Sequence, residues 1–391
     1  DGEIIENFEF EYVPKTNFEN IEGLGTEENP YIITNEKQLS LISSSPSAYY
    51  VLGNDINLTF NSDNDVTFNR GVGWKPLDTF CGTLDGRGFS IKNMSIYSRI
   101  DDEATLDKNI GLFSNIDGAI IKNLKITDVR IENGDTKHYN IGCLAGEATD
   151  SNIYNVMVSG SIDCKNSNCV DTSIGMLIGS IGNSNANVEL NKISCVGNIT
   201  SKITEAVGGV IGKSEVGIAG KDLLVVTEIS NSYASSYVGG VLGEGKLISV
   251  ENSFIIPKFN VADSCKLDIL YAEFDKYNIE KISNIATINS LTYGESINNY
   301  QTQENDNIIT ERNEYKLRKI SIDKLRFDSS IWEYLPDNPY PTLKGQEYHF
   351  ITIEPYEIKK YTVDEDKKTI GNIFPTTIEH YKENIALENP Y

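Results

Sequence analysis

Val207-Gly208-Gly209-Val210-Ile211-Gly212 is followed by Val238-Gly239-Gly240-Val241-Leu242-Gly243. Looser copies precede them as Ile110-Gly111-Leu112-Phe113-Ser114, Ile141-Gly142-Cys143-Leu144-Ala145-Gly146 and Ile174-Gly175-Met176-Leu177-Ile178-Gly179. From the first copy to the last the intervals are 31, 33, 33 and 31 residues. A fixed period in that range marks stacked supersecondary units, each burying its apolar face against the next. Between copies lie alternating segments, such as Ile120-Ile121-Lys122-Asn123-Leu124-Lys125-Ile126 and Ile153-Tyr154-Asn155-Val156-Met157-Val158, and a third short strand, as in Gly160-Ser161-Ile162. Three strands per period predict an all-β chain coiled as a parallel β-helix, a solenoid. At ~4.8 Å per coil, roughly six coils give a rod on the order of 30 Å long.

Glycine has two possible roles in such a coil. Gly111, Gly142, Gly175, Gly208, Gly209, Gly239 and Gly240 either take positive φ at corners or let stacked backbones approach closely. A flexible linker is excluded by the Val, Ile and Leu at fixed offsets. In the segment from Ile120 to Ile126 the alternation slips, which predicts a bend or bulge near Lys122.

Working outward, Asn35-Glu36-Lys37-Gln38 ahead of Leu39, Leu41 and Ile42 reads as a helix start. Asn35 would accept from a free backbone N–H, and Gln38 would reach back three residues. This short helix is expected to cap the open end of the solenoid, where strand edges are unpaired. Asp85-Gly86 is a turn signal between two strands. After Phe254 the register weakens, as in a terminal coil. Glu314 to Phe327 predicts an amphipathic helix burying Tyr315, Leu317, Ile320, Leu325 and Phe327. Phe327 to Trp332 and Tyr340 to Gly345 predict a closing strap. Residues 1–21 read as an arm or edge strand, 22–345 as the β-helix with its caps, and 346–391 as a C-terminal β appendage or arm.

Of 391 residues, 57 are acidic and 34 basic, giving a formal charge of −23. A nucleic-acid partner is excluded, since phosphate would be repelled with no basic run to offset it. No run of eighteen apolar residues predicts a membrane span. No leader is legible before Asp1, which fits a processed mature protein or a recombinant one. The six cysteines form no CxxC pair, and none lies near a histidine to complete a metal set. Cys143 is expected as a small buried side chain. Cys164 and Cys169 flank a short polar segment and are a candidate disulfide.

These residues resemble the GLUG-repeat family of extracellular bacterial β-helix proteins, and the β-helical, non-catalytic segment of Gram-positive immunoglobulin-A metallopeptidases. The resemblance is carried by Asn29-Pro30-Tyr31, Tyr50 through Leu58, Trp74-Lys75-Pro76-Leu77, the turn from Phe80 to Gly88, the glycine repeats, and Trp332…Tyr340-Pro341…Leu343, over about residues 22–345. It implies a right-handed coil on a secreted or surface-attached protein. No cell-wall sorting signal is legible at the C-terminus.

The sequence carries no recognisable catalytic constellation. A zinc peptidase needs His-Glu-x-x-His, and His138, His349 and His380 lack that spacing. Polysaccharide hydrolases and lyases need grouped carboxylates. Asp101, Asp102 and Glu103 form one acidic loop and Asp63 and Asp65 another, but neither recurs at the repeat period. Asp63 and Asp65 are weak calcium candidates lacking the glycine and distal Glu of a dedicated loop. No Gly-x-Ser-x-Gly elbow or phosphate-cradling loop occurs. Three Asn-x-Ser/Thr triplets, at Asn57, Asn93 and Asn198, read as chance. The expectation is a non-enzymatic extracellular or cell-surface protein that needs no cofactor and presents an elongated surface to a protein or glycan ligand. The alternatives are a self-assembling fibre or layer subunit using its terminal arms, and a polysaccharide-active enzyme.

Overall fold

The structure, a computed structural model, describes residues 21–58, 73–98, 109–133, 140–164, 171–182, 188–202, 204–233, 235–262, 265–272, 281–288, 307–311, 316–318, 320–336 and 338–348. It is a parallel β-solenoid. Among the described residues one sheet has sixteen strands, a second has six, and an antiparallel pair makes a third. The six-stranded sheet is built from the repeat phrase itself. Ile110, Ile141, Ile174, Val207, Val238 and Leu267 are register partners, one per coil. All six side chains are buried. Equivalent residues of successive coils therefore stack directly, and the repeat period is the perimeter of one coil.

After each phrase the chain reverses through a tight arc into the large sheet. It then runs along the long strands Ile120–Asn133, Asn152–Cys164, Val188–Ser201, Ile211–Asn231 and Leu242–Val261. Each of these turns a corner at a left-handed residue of one column: Asn123 (φ 51°), Asn155 (53°), Lys192 (56°), Asp222 (54°) and Asn252 (50°), with Asn284 (51°) continuing the column in Lys281–Ile288 and Asp128 (56°) adding a second left-handed residue in Ile120–Asn133. The bend predicted near Lys122 falls one residue later. Asparagine tolerates this conformation better than other residues with a Cβ, and here it also stacks. Asn123 Nδ2 donates to Asp85 Oδ1 at 3.0 Å, Asn155 Nδ2 to Asn123 Oδ1 at 2.8 Å, and Asn284 Nδ2 to Asn252 Oδ1 at 2.8 Å. Asp85-Gly86 belongs to this corner as well. Thr83–Asp85 and Ser90–Lys92 both pair in parallel with Ile120–Asn133, so the turn bends one coil and makes no hairpin.

The repeat glycines serve close approach. Gly111, Gly142, Gly175, Gly208, Gly209, Gly239 and Gly240 are absent from the positive-φ residues, whereas Gly160 and Gly197 (φ 147° and 148°) do turn a second corner. A Cβ on Gly208 would lie 1.8 Å from the Ile211 carbonyl oxygen, and one on Gly239 1.9 Å from that of Leu242.

At the N-terminal end the interior carries an aromatic column, Tyr31, Tyr50, Phe80 and Phe113, with centroids 5.5, 6.1 and 5.0 Å apart. The capping helix is Glu36–Ser40, continued as a 3-10 turn, Leu41–Ser44. Asn35 accepts from the Gln38 backbone N–H at 3.0 Å, as expected. Gln38 instead reaches back four residues, accepting from the Thr34 N–H at 2.7 Å.

A second apolar core lies outside the coils. Leu224, Phe254, Ile256, Ala286 and Ile288 on the rungs pack against Leu317, Ile320, Leu325, Phe327, Trp332, Tyr340 and Leu343. Among the described residues of the helix predicted across 314–327, the α-helix is one turn, Ile322–Leu325, stopped at left-handed Arg326 (φ 57°), and Tyr315 lies outside the described residues. The segment is an irregular strap whose apolar residues are spaced to fit the rungs beneath. Trp332–Glu333 and Thr342–Leu343 close it as an antiparallel pair.

Candidate interaction surface

Because residues stack in register, each outward position becomes a straight row running across the coils. One row reads Asp85, Lys122, Tyr154, Asn191, Lys221, Glu251 and Ser283. Beneath it the inward row includes Leu84, Ile121, Ile153, Leu190, Val250 and Ile282, all buried. Beside it run Ile120, Asn152 and Glu189, all exposed. Among the described residues the exposed large apolar side chains are Leu24, Ile120 and Tyr154. The last two are neighbours here, since Ile120 pairs with Asn152 and Lys122 with Tyr154. Lys192, at the corner, lies 6.0 Å from the centroid of the Tyr154 ring.

The strap borders this face where the asparagine column is interrupted. Lys192 and Asp222 stand where the other coils carry Asn. At those two coils the strap supplies the missing hydrogen bonds. Gln346 Nε2 donates to Asn155 Oδ1 at 2.9 Å and to the Lys192 carbonyl at 2.8 Å, and Trp332 Nε1 donates to Asp222 Oδ1 at 3.1 Å. Asp222 Oδ2 is buried without a hydrogen-bond partner, and this burial pushes the carboxyl above its ordinary range. Trp332 and Asp222 thus form a buried positioning contact.

Several expected residues fall elsewhere. Asp63, Asp65, Asp101, Asp102, Glu103, Cys169 and the three histidines lie outside the described residues, as do 1–20 and 349–391. Cys164 is buried with a free thiol. Cys143 is buried too, and its thiol is pushed up to about 12 by loss of solvent; neither is an activated nucleophile. Glu132 and Asp163 are register partners on adjacent coils, but Arg130 donates to Glu132 at 2.7 Å and ties the pair into a surface ion network. Among the described residues no cluster of three or more His, Cys, Asp or Glu side chains would hold a metal ion. No described helix is long and apolar enough to cross a membrane. Tyr154, Lys192 and Lys221 escaped the sequence reading, which followed the inward positions. Aligning the copies on their glycines and reading the outward columns would have found them.

The fold has counterparts among solved structures. The "putative immunoglobulin A1 protease" of Bacteroides ovatus superposes with a TM-score of 0.55 at 16% identity, over 83% of this chain and 95% of that one. A protein named IgA1 protease gives a TM-score of 0.49 at 20% identity, over 71% of this chain and 21% of its own length. The likeness to the first is one of fold, and it bears out the resemblance to immunoglobulin-A peptidase β-helices at that level. Halomucin of Haloquadratum walsbyi is 30% identical over 169 residues, and this stretch is 2% of halomucin's length. No family model matches the chain.

Proposed function

We propose that the chain is a non-catalytic, extracellular solenoid module whose face around Tyr154 binds a protein or glycan partner. The observation that carries this is the placing of Ile120 and Tyr154, 44% and 41% exposed, diagonally on adjacent coils of one regular face, and, Leu24 apart, they are the exposed large apolar side chains among the described residues. An aromatic ring and an aliphatic chain held in water by a rigid sheet are a binding feature, since the backbone that carries them needs no further ordering on association. The similarity to halomucin, and the fold held in common with a protein named for immunoglobulin A1, support an extracellular setting.

The test is an array of extracellular matrix proteins, immunoglobulins and glycans, probed with the full chain and with Ile120→Ser/Tyr154→Ala. Binding to at least one class, lost in the double variant, is expected. Binding indifferent to the double variant, or none at all, would remove this reading.

A further inference from the structure

The chemistry around Tyr154 narrows the partner further, on the reading that this face is the binding surface. We infer that it takes an extended polyanionic glycan lying along the solenoid axis, with a sugar ring on Tyr154 and its acidic groups on Lys192 and Lys221. Three observations converge on this class.

The first is charge. The chain carries −23 overall, whereas the row through Tyr154 balances two lysines against two acids, and Lys192 adds a positive charge at the corner beside the ring. Acids at its two ends are already paired, Asp85 with Lys122 at 3.8 Å and Glu251 with Lys281 at 2.5 Å. Lys192 and Lys221 have no ion-pair partner among the described residues. Glu189 and the strap's Asp328 are the exposed acids beside them, Asp328 near enough to Lys221 for the two charges to interact. Buried Asp222 turns its carboxylate towards Trp332. At physiological salt, charge farther than about 8 Å is screened, so the distant acidic surface does not cancel these lysines at contact range.

The second is the platform. The apolar face of a sugar ring packs on an aromatic side chain, and a neighbouring ammonium polarises that stack. Lys192 already occupies the position beside Tyr154. Asn152 and Asn191, flanking the ring in register, offer amides to ring hydroxyls.

The third is the repeat. Lys122, Tyr154, Asn191 and Lys221 occupy four consecutive coils in one row, spaced ~4.8 Å apart. That spacing is close to the length of one monosaccharide unit in an extended chain, so a linear polymer meets a fresh side chain at each coil. A globular protein partner has no need of such a match.

The experiment measures binding of the full chain, at physiological ionic strength, to three probes: heparin oligosaccharides for sulfated chains, oligogalacturonate for carboxylated chains and dextran as the neutral control. The variants are Lys192→Gln/Lys221→Gln, Lys192→Arg/Lys221→Arg, Tyr154→Ala and, on another face, Lys258→Gln. Circular dichroism and thermal melts confirm that each is folded. One or both anionic probes should bind, weaken about tenfold in the Gln pair, and recover in the Arg pair. Added salt should weaken binding, and Lys258→Gln should not change it. Sulfated and carboxylated sources are separated by which probe binds. Dextran binding equal to the anionic probes, lost in Tyr154→Ala but not in the Gln pair, would overturn the anionic class and leave the face intact. So would a protein ligand lost in Tyr154→Ala with no glycan bound. Anionic binding unmoved by every variant on this face, or no binding of any kind, would overturn both the ligand class and the face.

Discussion

At the scale of single residues, two positions on the corners and arcs of the coil decide how closely the turns pack. Gly208 is one. Its missing Cβ is replaced by a carbonyl oxygen of its own coil, and backbone has nowhere to retreat in a stacked sheet. Gly208→Ala should therefore cost about 3 kcal/mol or more, measured by urea denaturation, whereas Gly88→Ala, with open space around it but a left-handed φ of 84°, should cost only the backbone strain, about 1–2 kcal/mol. Asp222 is the other. Desolvation raises its carboxyl above the ordinary 3.8, so the folded chain holds that proton more tightly than the unfolded one. Its effect on stability is nil well below 3.8 and becomes unfavourable as pH climbs from there through the raised folded value. Asp222→Asn keeps an acceptor for Trp332 and removes the buried charge. It should raise stability near pH 7 by about 1 kcal/mol, a gain that disappears at about pH 3. Asp55 behaves oppositely: the hydrogen bond from Lys92 Nζ, 2.6 Å away, lowers its carboxyl below the ordinary value. Asp55→Asn should weaken the fold near neutral pH and lose that effect once acid protonates the native carboxylate. Chemical denaturation across pH, on both variants, checks the two signs together.

At the scale of elements, the strap explains why two coils tolerate breaks in the asparagine column. Trp332 is buried against Phe327, centroids 4.6 Å apart, and bonded to Asp222. Trp332→Ala should cost about 3 kcal/mol or more, and the damage should be local. Hydrogen exchange is expected to accelerate in residues 316–348 and in the rungs under them, while Ile120–Asn133 keeps its protection. Uniform acceleration would mean that strap and coils unfold as one unit. The solenoid itself was legible in the sequence because the inward residues repeat with the perimeter of the coil, and stacking demands that repeat. The corner column was half legible, as an alternation that slips at Lys122, because a left-handed asparagine looks like any other polar residue until its neighbours above and below are known. The strap's apolar residues were legible too, but their state was not. Leu317, Ile320, Leu325 and Phe327 sit at spacings a helix would also satisfy, and only the rungs beneath choose an irregular path. Tyr154 was in view as one residue of an alternating strand. Its place beside Ile120 and Lys192 depends on the register between coils, which no single strand encodes.

For the whole molecule, in-register stacking makes the coil a countable unit. A solenoid is stabilised mainly by contacts between neighbours, so one complete turn is removable where a partial one is not. Deleting residues 174–206, thirty-three in all, joins Ser173 to Val207 and brings Val207 onto Ile141, as Ile174 is now. The interior should close and circular dichroism should keep its β spectrum, whereas deleting only 174–190 destroys the register and should abolish the fold. The strap, however, is measured against a fixed number of coils. It holds Asn155 through Gln346 and Asp222 through Trp332, and the deletion brings those anchors closer by one coil, ~4.8 Å. With Gln346 kept on Asn155, the strap then carries Trp332 past Asp222. In a Trp74→Phe background the emission of Trp332 should shift to the red in the deleted chain, reporting its escape into water while the coils stay folded. Unchanged emission with a folded coil would show that the strap follows a general apolar strip and not the particular rungs that lack asparagine.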